Sequence, residues 1–126
     1  MALTGELGSG KTTFIQGFAK GLGISNRIIS PTFIIMRSYR LPTSHQHACA
    51  GRPLAFSQFY HLDLYRLEKD IGMEVINLGV DDIWKNPDNI IVIEWAEKIK
   101  DLIPKNAVWV EFNNLEENRR RIKING

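Results

Sequence analysis

Only one cysteine, Cys49, occurs in the 126-residue chain, so no internal disulfide can form. A disulfide-stapled scaffold is thereby excluded, and a lone thiol fits a reducing, cytoplasmic compartment. No apolar run approaches the roughly 20 residues of a membrane-spanning helix, and no basic segment leading into an apolar one marks a signal peptide. No membrane association is therefore expected. Neither sign of charge dominates: 16 Lys and Arg against 14 Asp and Glu leave +2. That balance neither demands nor forbids a nucleic-acid partner. Internal repeats and low-complexity stretches are missing too. What remains is ordinary: a 44% apolar chain of a length that suits one domain over residues 1–126 with a single core.

Against this plain background, residues 5–12 stand out. They read Gly5-Glu6-Leu7-Gly8-Ser9-Gly10-Lys11-Thr12, a complete match to the phosphate-binding loop G-x-x-x-x-G-K-[ST]. Glycine lets the backbone curl so that successive N–H groups face phosphate oxygens. Lys11 supplies a charge for the β- and γ-phosphates, and the Thr12 hydroxyl is placed to ligate Mg²⁺. Phe14, Ile15, Phe18, Ala19 and Leu22 recur at helical spacing, so a helix should start here and aim its positive end at the anion. Only Met1 to Thr4 precede the loop, fewer than the roughly 5–6 residues of an ordinary strand. The expectation is a truncated first strand, in a chain that starts late or is a short form.

Further along, Gly21 and Gly23 should stop the first helix, and Ser30-Pro31-Thr32 should be a loop. Residues 33–41 and 56–65 read as an antiparallel pair of strands joined by a long, mobile connection over 42–55. Phe59, His61, Asp63 and Tyr65 would share one face of the second strand. Residues 67–84 look helical in pieces, broken near Gly72 and Gly79, with Asp81 and Asp82 starting the second piece. Asn89 to Glu94 is a β-branched run suited to a strand buried on both faces of a parallel sheet. A short helix over 95–103 should end before Pro104, and residues 107–112 and 119–124 should form a closing antiparallel pair. The fold class is α/β: a P-loop sheet with flanking helices and added antiparallel strands.

A phosphate cradle needs acids nearby. Glu94 ends the apolar run Ile90 to Ile93, where a carboxylate can hold Mg²⁺ or orient water; the bland alternative is a solvated strand-end Glu. Asp63 lies among apolar neighbours and needs either a task or a structural partner, His or Arg. Thr32 could reach the metal or the γ-phosphate from its loop, or simply form a turn. Trp95 reads as core by default. His45, His47 and Cys49 alternate, but zinc would need a fourth ligand. Arg119, Arg121 and Lys123 would line one face of the last strand, either as protection of an edge or as a contact for RNA phosphates or an acidic partner.

Taken together, Gly5-Glu6-Leu7-Gly8-Ser9-Gly10-Lys11-Thr12-Thr13, Ser30-Pro31-Thr32-Phe33, His61-Leu62-Asp63-Leu64-Tyr65-Arg66 and Ile93-Glu94-Trp95 resemble the TsaE family over nearly the whole chain. The phosphate loop is generic; the His-x-Asp-x-Tyr-Arg and Glu-Trp elements are the specific part. The resemblance implies a small ATPase using ATP and Mg²⁺ in the threonylcarbamoyladenosine modification of tRNA. Its implied partners are the threonylcarbamoyl transferase and that enzyme's paralogous binding subunit, with tRNA met indirectly. It implies that Lys11 and Thr12, with the rest of the loop from Gly5 through Glu6, Leu7, Gly8, Ser9 and Gly10 to Thr13, bind the nucleotide and metal. Thr32 would belong to a switch-like loop. Asp63 and Glu94 would be the essential acids, Glu94 serving the metal and Asp63 the water, and Trp95 would lie near the nucleotide or a partner. The family carries a helix and a full first strand ahead of the loop that are not seen here, and residues 42–57 look longer than its usual connection. Two other readings compete. A small-molecule kinase would need a lid bearing arginine, and residues 42–55 hold only Arg52. A non-catalytic nucleotide-binding docking module would have no need of both acids.

Overall fold

The computed structural model describes residues 1–42, 47–49, 52–54 and 56–126, and the side chains of all of these except 47–49 and 52–54. Strand β1 (Ala2–Gly5) leads into helix α1 (Lys11–Gly21). Then come β2 (Met36–Arg40), the short β3 (His47–Cys49) and β4 (Arg52–Leu54), and β5 (Gln58–Asp63). Helices α2 (Ile71–Asn77) and α3 (Val80–Lys85) precede β6 (Asn89–Glu94), and a 3₁₀ helix over Ala96–Leu102 leads to β7 (Trp109–Glu116) and β8 (Arg119–Asn125). One six-stranded sheet has the order β2-β5-β6-β1-β7-β8. β5, β6, β1 and β7 run parallel, and β2 and β8 close the two edges antiparallel.

Alternation along the central strands sorts their side chains into two cores. Leu3, Phe59, Val92, Val110 and Phe112 pack against Ile15 and Ala19 of α1. Ala2, Leu62 and Ile93 point the other way, onto Val75 of α2, Val80 of α3 and Ala96 and Ile99 of the 3₁₀ helix. Helices thus cover both faces, which is why the β-branched run of β6 is apolar throughout. β1 is four residues long, as short as expected, yet it pairs on both sides. The ladder even takes in Met1, whose carbonyl accepts from Ile93 N at 3.0 Å.

Several boundaries differ from the sequence expectation. Residues 33–35 are not strand: Ile34 N and Ile35 N both donate to Pro31 O, at 2.9 and 2.6 Å, and close a turn instead. Ile35 leaves that turn with φ 67°, a left-handed conformation uncommon for a β-branched residue. Gly72 does not break a helix; it lies inside α2, and the break comes at Gly79, φ 75°. Asp81 and Asp82 do occupy the first turn of α3. β3 and β4 form a separate two-stranded antiparallel ribbon that periodicity did not indicate. The expected mobility of 42–55 and the side chains of His45, His47 and Cys49 lie outside the described residues. β8 is an exposed edge strand, as its charges suggested. Arg119 pairs with Glu116 at 3.2 Å, beside the turn that joins β7 to β8.

Candidate nucleotide site

The site forms at the carboxyl ends of β1, β5 and β6, where ligands of open parallel sheets bind. Gly5 ends β1 at φ 136°, and a Cβ there would lie 2.5 Å from the Phe112 carbonyl oxygen of β7. Only glycine lets the chain turn away from the sheet so close to its neighbour. Gly8 (φ 74°) and Gly10 (φ 101°) supply two more left-handed residues, and Gly10 caps α1. The loop therefore curls over the first turn of α1, with a cleft of about 240 Å³ beside it. Leu7 to Thr13 form one wall of that cleft; Ser30, Thr32, Asp63, Tyr65, Glu94 and Trp95 form the other.

Lys11 is buried at the start of α1. Its Nζ donates to the carbonyls of Gly5 (2.6 Å) and Glu6 (2.8 Å) and lies 4.3 Å from the centre of the Trp95 ring. Burial pushes the ammonium below the ordinary lysine value, opposed in part by the charges of Glu94, Glu97 and Asp63.

His61 and Asp63 on β5 and Glu94 on β6 all project to the α1 side, because Phe59, two and four residues before the first pair, and Val92, two residues before Glu94, do. Asp63 and Glu94 are register partners across the parallel ladder, so the two acids are about 4.8 Å apart at the backbone. Both carboxylates are buried, and each is held by separate groups. The Thr12 hydroxyl donates to Glu94, 3.0 Å from Oε1 and 3.1 Å from Oε2, and His61 Nε2 lies 2.9 Å from Oε1. Asp63 Oδ2 accepts from Ser30 and Thr32, each at 2.6 Å, and Asp63 Oδ1 accepts from Tyr65 N at 3.0 Å.

The described residues fit a bound Mg²⁺ in a particular way. Among them no group of three His, Cys, Asp or Glu gathers that could hold a metal ion unaided. Thr12 and Glu94 offer hard oxygen donors, and a hydroxyl that donates its proton to the carboxylate keeps lone pairs for a cation. Mg²⁺ is commonly held by few protein oxygens, with phosphate and water completing the shell. Thr32 sits on the Asp63 side of the cleft, its hydroxyl engaged by that acid. Trp95, at φ 59°, turns the chain out of β6 and packs its ring, tilted by 40°, with its centre 5.2 Å from that of Tyr65; it forms part of the cleft wall and is only partly buried.

The residues singled out for nucleotide and metal, Leu7 to Thr13, Thr32, Asp63, Glu94 and Trp95, thus line one cleft, with Gly5 and Glu6 on the loop limb leading into it, whereas Arg119, Arg121 and Lys123 lie apart on the edge strand β8. The partners of the acids were not foreseen. Among the described residues Asp63 pairs with neither His nor Arg, and His61 serves Glu94 instead. Ser30 joins Thr32 on Asp63. The alternation of His61 and Asp63 was a usable signal for a shared face, but the parallel register with β6, which decides the pairing, has no local signature.

The model of the family described as threonylcarbamoyl adenosine biosynthesis protein TsaE matches residues 1–122. The chain belongs to this family. Its relatives include a Bacillus subtilis protein named tRNA threonylcarbamoyladenosine biosynthesis protein TsaE, 33% identical over 97% of this chain and 66% of its own length. A protein of the same name from Nostoc is 42% identical over 77% of this chain and 52% of its own. The chain therefore spans about half to two-thirds of the length of these curated relatives. Among solved structures, the crystal structure of Bacillus subtilis YdiB superposes with a TM-score of 0.66 at 29% identity, covering 96% of this chain and 63% of that one.

Proposed function

We propose that this chain is the ATP-binding and ATP-hydrolysing subunit of the cytoplasmic machinery that installs threonylcarbamoyl on adenosine of tRNA. One observation carries the reading: a complete phosphate loop faces two buried carboxylates in register on adjacent strands. Membership of the threonylcarbamoyl adenosine biosynthesis family supports the pathway.

The loop N–H groups and the N-terminus of α1 take the phosphates. Lys11 exchanges the carbonyls of Gly5 and Glu6 for β- and γ-phosphate oxygens. Thr12 and Glu94 would hold Mg²⁺, which would supply charge neutralisation at the phosphate oxygens. Asp63 orients a water in line with the γ-phosphorus. The water oxygen bonds to phosphorus as the bond to the β-phosphate oxygen breaks, the β-phosphate oxygen leaves with the electron pair of that bond, and both protons of the water end on the phosphate product as dihydrogen phosphate. Hydrolysis supports turnover of the transferase and its paralogous binding subunit, and those partners accelerate it. A kinase transferring the γ-phosphate to a small molecule is the reading to beat.

The experiment is release of phosphate from Mg²⁺-ATP by the chain alone and with both partners. Partner-stimulated release that Lys11→Ala abolishes is expected. Nucleotide binding without hydrolysis in any assembly would leave the docking module, and a phosphorylated small molecule in place of free phosphate would mark a kinase.

A further inference from the structure

His61 occupies a place where a histidine is costly. It is fully buried in the middle of β5, flanked by Arg37 on β2 and Val92 on β6 in the ladders on either side. An apolar side chain of similar volume would fill that position without desolvating a polar ring. Among the described residues the imidazole has one polar partner, Glu94 Oε1 at 2.9 Å, and Nδ1 has none. This asymmetry selects a tautomer. With the proton on Nε2, the ring donates to the carboxylate and leaves only an unpaired acceptor at Nδ1. With the proton on Nδ1, a donor would be buried unsatisfied and a lone pair would face a carboxylate oxygen.

We propose that His61 is a positioning residue for the metal: its Nε2–H holds Glu94 by Oε1, so that Oε2, which only the shared Thr12 hydroxyl meets, is the oxygen turned to a cation beside Thr12. The inference rests on the nucleotide reading of the cleft. Three elements then meet at one carboxylate. β6 carries Glu94, α1 brings the Thr12 hydroxyl, and β5 brings a ring whose backbone is fixed by hydrogen-bonded neighbours on both sides. A glutamate side chain has three torsions and would otherwise sample several rotamers at the mouth of a cleft. Pinning one oxygen removes that freedom before metal arrives, which is how partners behind a ligand raise metal affinity. His61 is fully buried and is not among the residues lining the cleft, so its effect passes through Glu94.

Two measurements test this. In the nucleotide-free protein, long-range ¹H–¹⁵N correlation of the His61 ring should show the Nε2-protonated tautomer; the Nδ1-protonated form would overturn the proposal. With Mn²⁺ as the probe for Mg²⁺, paramagnetic resonance should show His61→Leu weakening Mn²⁺ in the ADP complex by about tenfold or more. ADP affinity in the presence of chelator should stay unchanged. His61→Gln, whose amide nitrogen reaches as far as Nε2, should restore most of the metal affinity, and the shorter His61→Asn should not. Wild-type Mn²⁺ affinity in the Leu variant would overturn the proposal. So would a parallel loss of metal-free ADP binding, which marks a merely structural role. If the Leu variant does not fold, the Gln and Asn variants decide, and equal Mn²⁺ affinities in the two would overturn it. A wild-type chain that binds no ADP would instead overturn the nucleotide reading, and the tautomer measurement keeps the two failures apart.

Discussion

An ammonium resting on carbonyls of its own loop must give them up to meet a phosphate, so Lys11 makes binding an exchange rather than a simple gain. Hydrogen bonds to charged groups contribute about 1.5–3 kcal/mol each. Lys11→Ala should accordingly weaken Mg²⁺-ATP by at least about tenfold in calorimetry. The buried amine also gives a pH signature. Its value in the folded protein lies below 10.5, so between the two values the unfolded chain holds more protons, and this group's contribution to stability rises with pH there. Phosphate oxygens favour the charged form and should raise the value again. Nucleotide binding at alkaline pH below 10.5 should therefore take up protons, seen as a dependence of the calorimetric heat on buffer ionisation enthalpy and lost in Lys11→Ala. At the acids the expectation is kinetic: Glu94→Gln and Asp63→Asn should each lower partner-stimulated hydrolysis by about 10²-fold or more, and only the first should also weaken metal binding. At this scale the sequence was most legible for residues inside fixed motifs. Lys11, Thr12, Asp63 and Glu94 stood out because loop spacing or an apolar flank marked them. Ser30 and His61 were missed as partners because a hydroxyl or a ring gains its role from what lies across a ladder.

Among the elements, strands buried on both faces and helices with apolar stripes were readable, since burial leaves its period in the sequence. β6 and α1 show this. The start of β2 was misread: residues 33–35 are apolar enough for a strand, but Pro31 and its carbonyl close a turn first, and Phe33 remains exposed with Arg66 over its ring at 4.0 Å. Three glycines separate backbone need from mere tolerance. Gly17 is helical, exposed and open around its Cα, so Gly17→Ala should stabilise the chain by about 0.5–1 kcal/mol in urea unfolding. Gly79 has equal room but φ 75°, and Gly79→Ala should cost about 1 kcal/mol in the same assay. Gly5→Ala combines the wrong φ with a backbone clash at 2.5 Å and should be the worst of the three, displacing the loop and abolishing nucleotide binding along with stability.

At the scale of the molecule, the cleft joins parts distant in sequence: the loop at residues 5–12, the Ser30 turn, β5 and β6. A ligand that contacts all of them should stabilise the whole domain cooperatively. Mg²⁺-ADP at 100 times its dissociation constant should add about 2.7 kcal/mol to unfolding, read as a raised midpoint in thermal denaturation. Lys11→Ala, at least about tenfold weaker, should cut that increment to about 1.4 kcal/mol or less at the same concentration. The strand order that brings Glu94 beside the loop was not legible beforehand. It depends on which strands pair across long sequence separations, and local pattern records only that each is buried.

The Lys11 contacts also bear on how the cleft empties. On the proposed reading, the two carbonyls would take over the ammonium when a nucleotide departs, so departure would strand no naked charge in a buried place. The loop serves as its own stand-in for the ligand. If the proposed nucleotide cycle holds, a site built this way would forfeit some tightness and in return let spent nucleotide go, a property suited to a part that must be reset many times rather than held in one state.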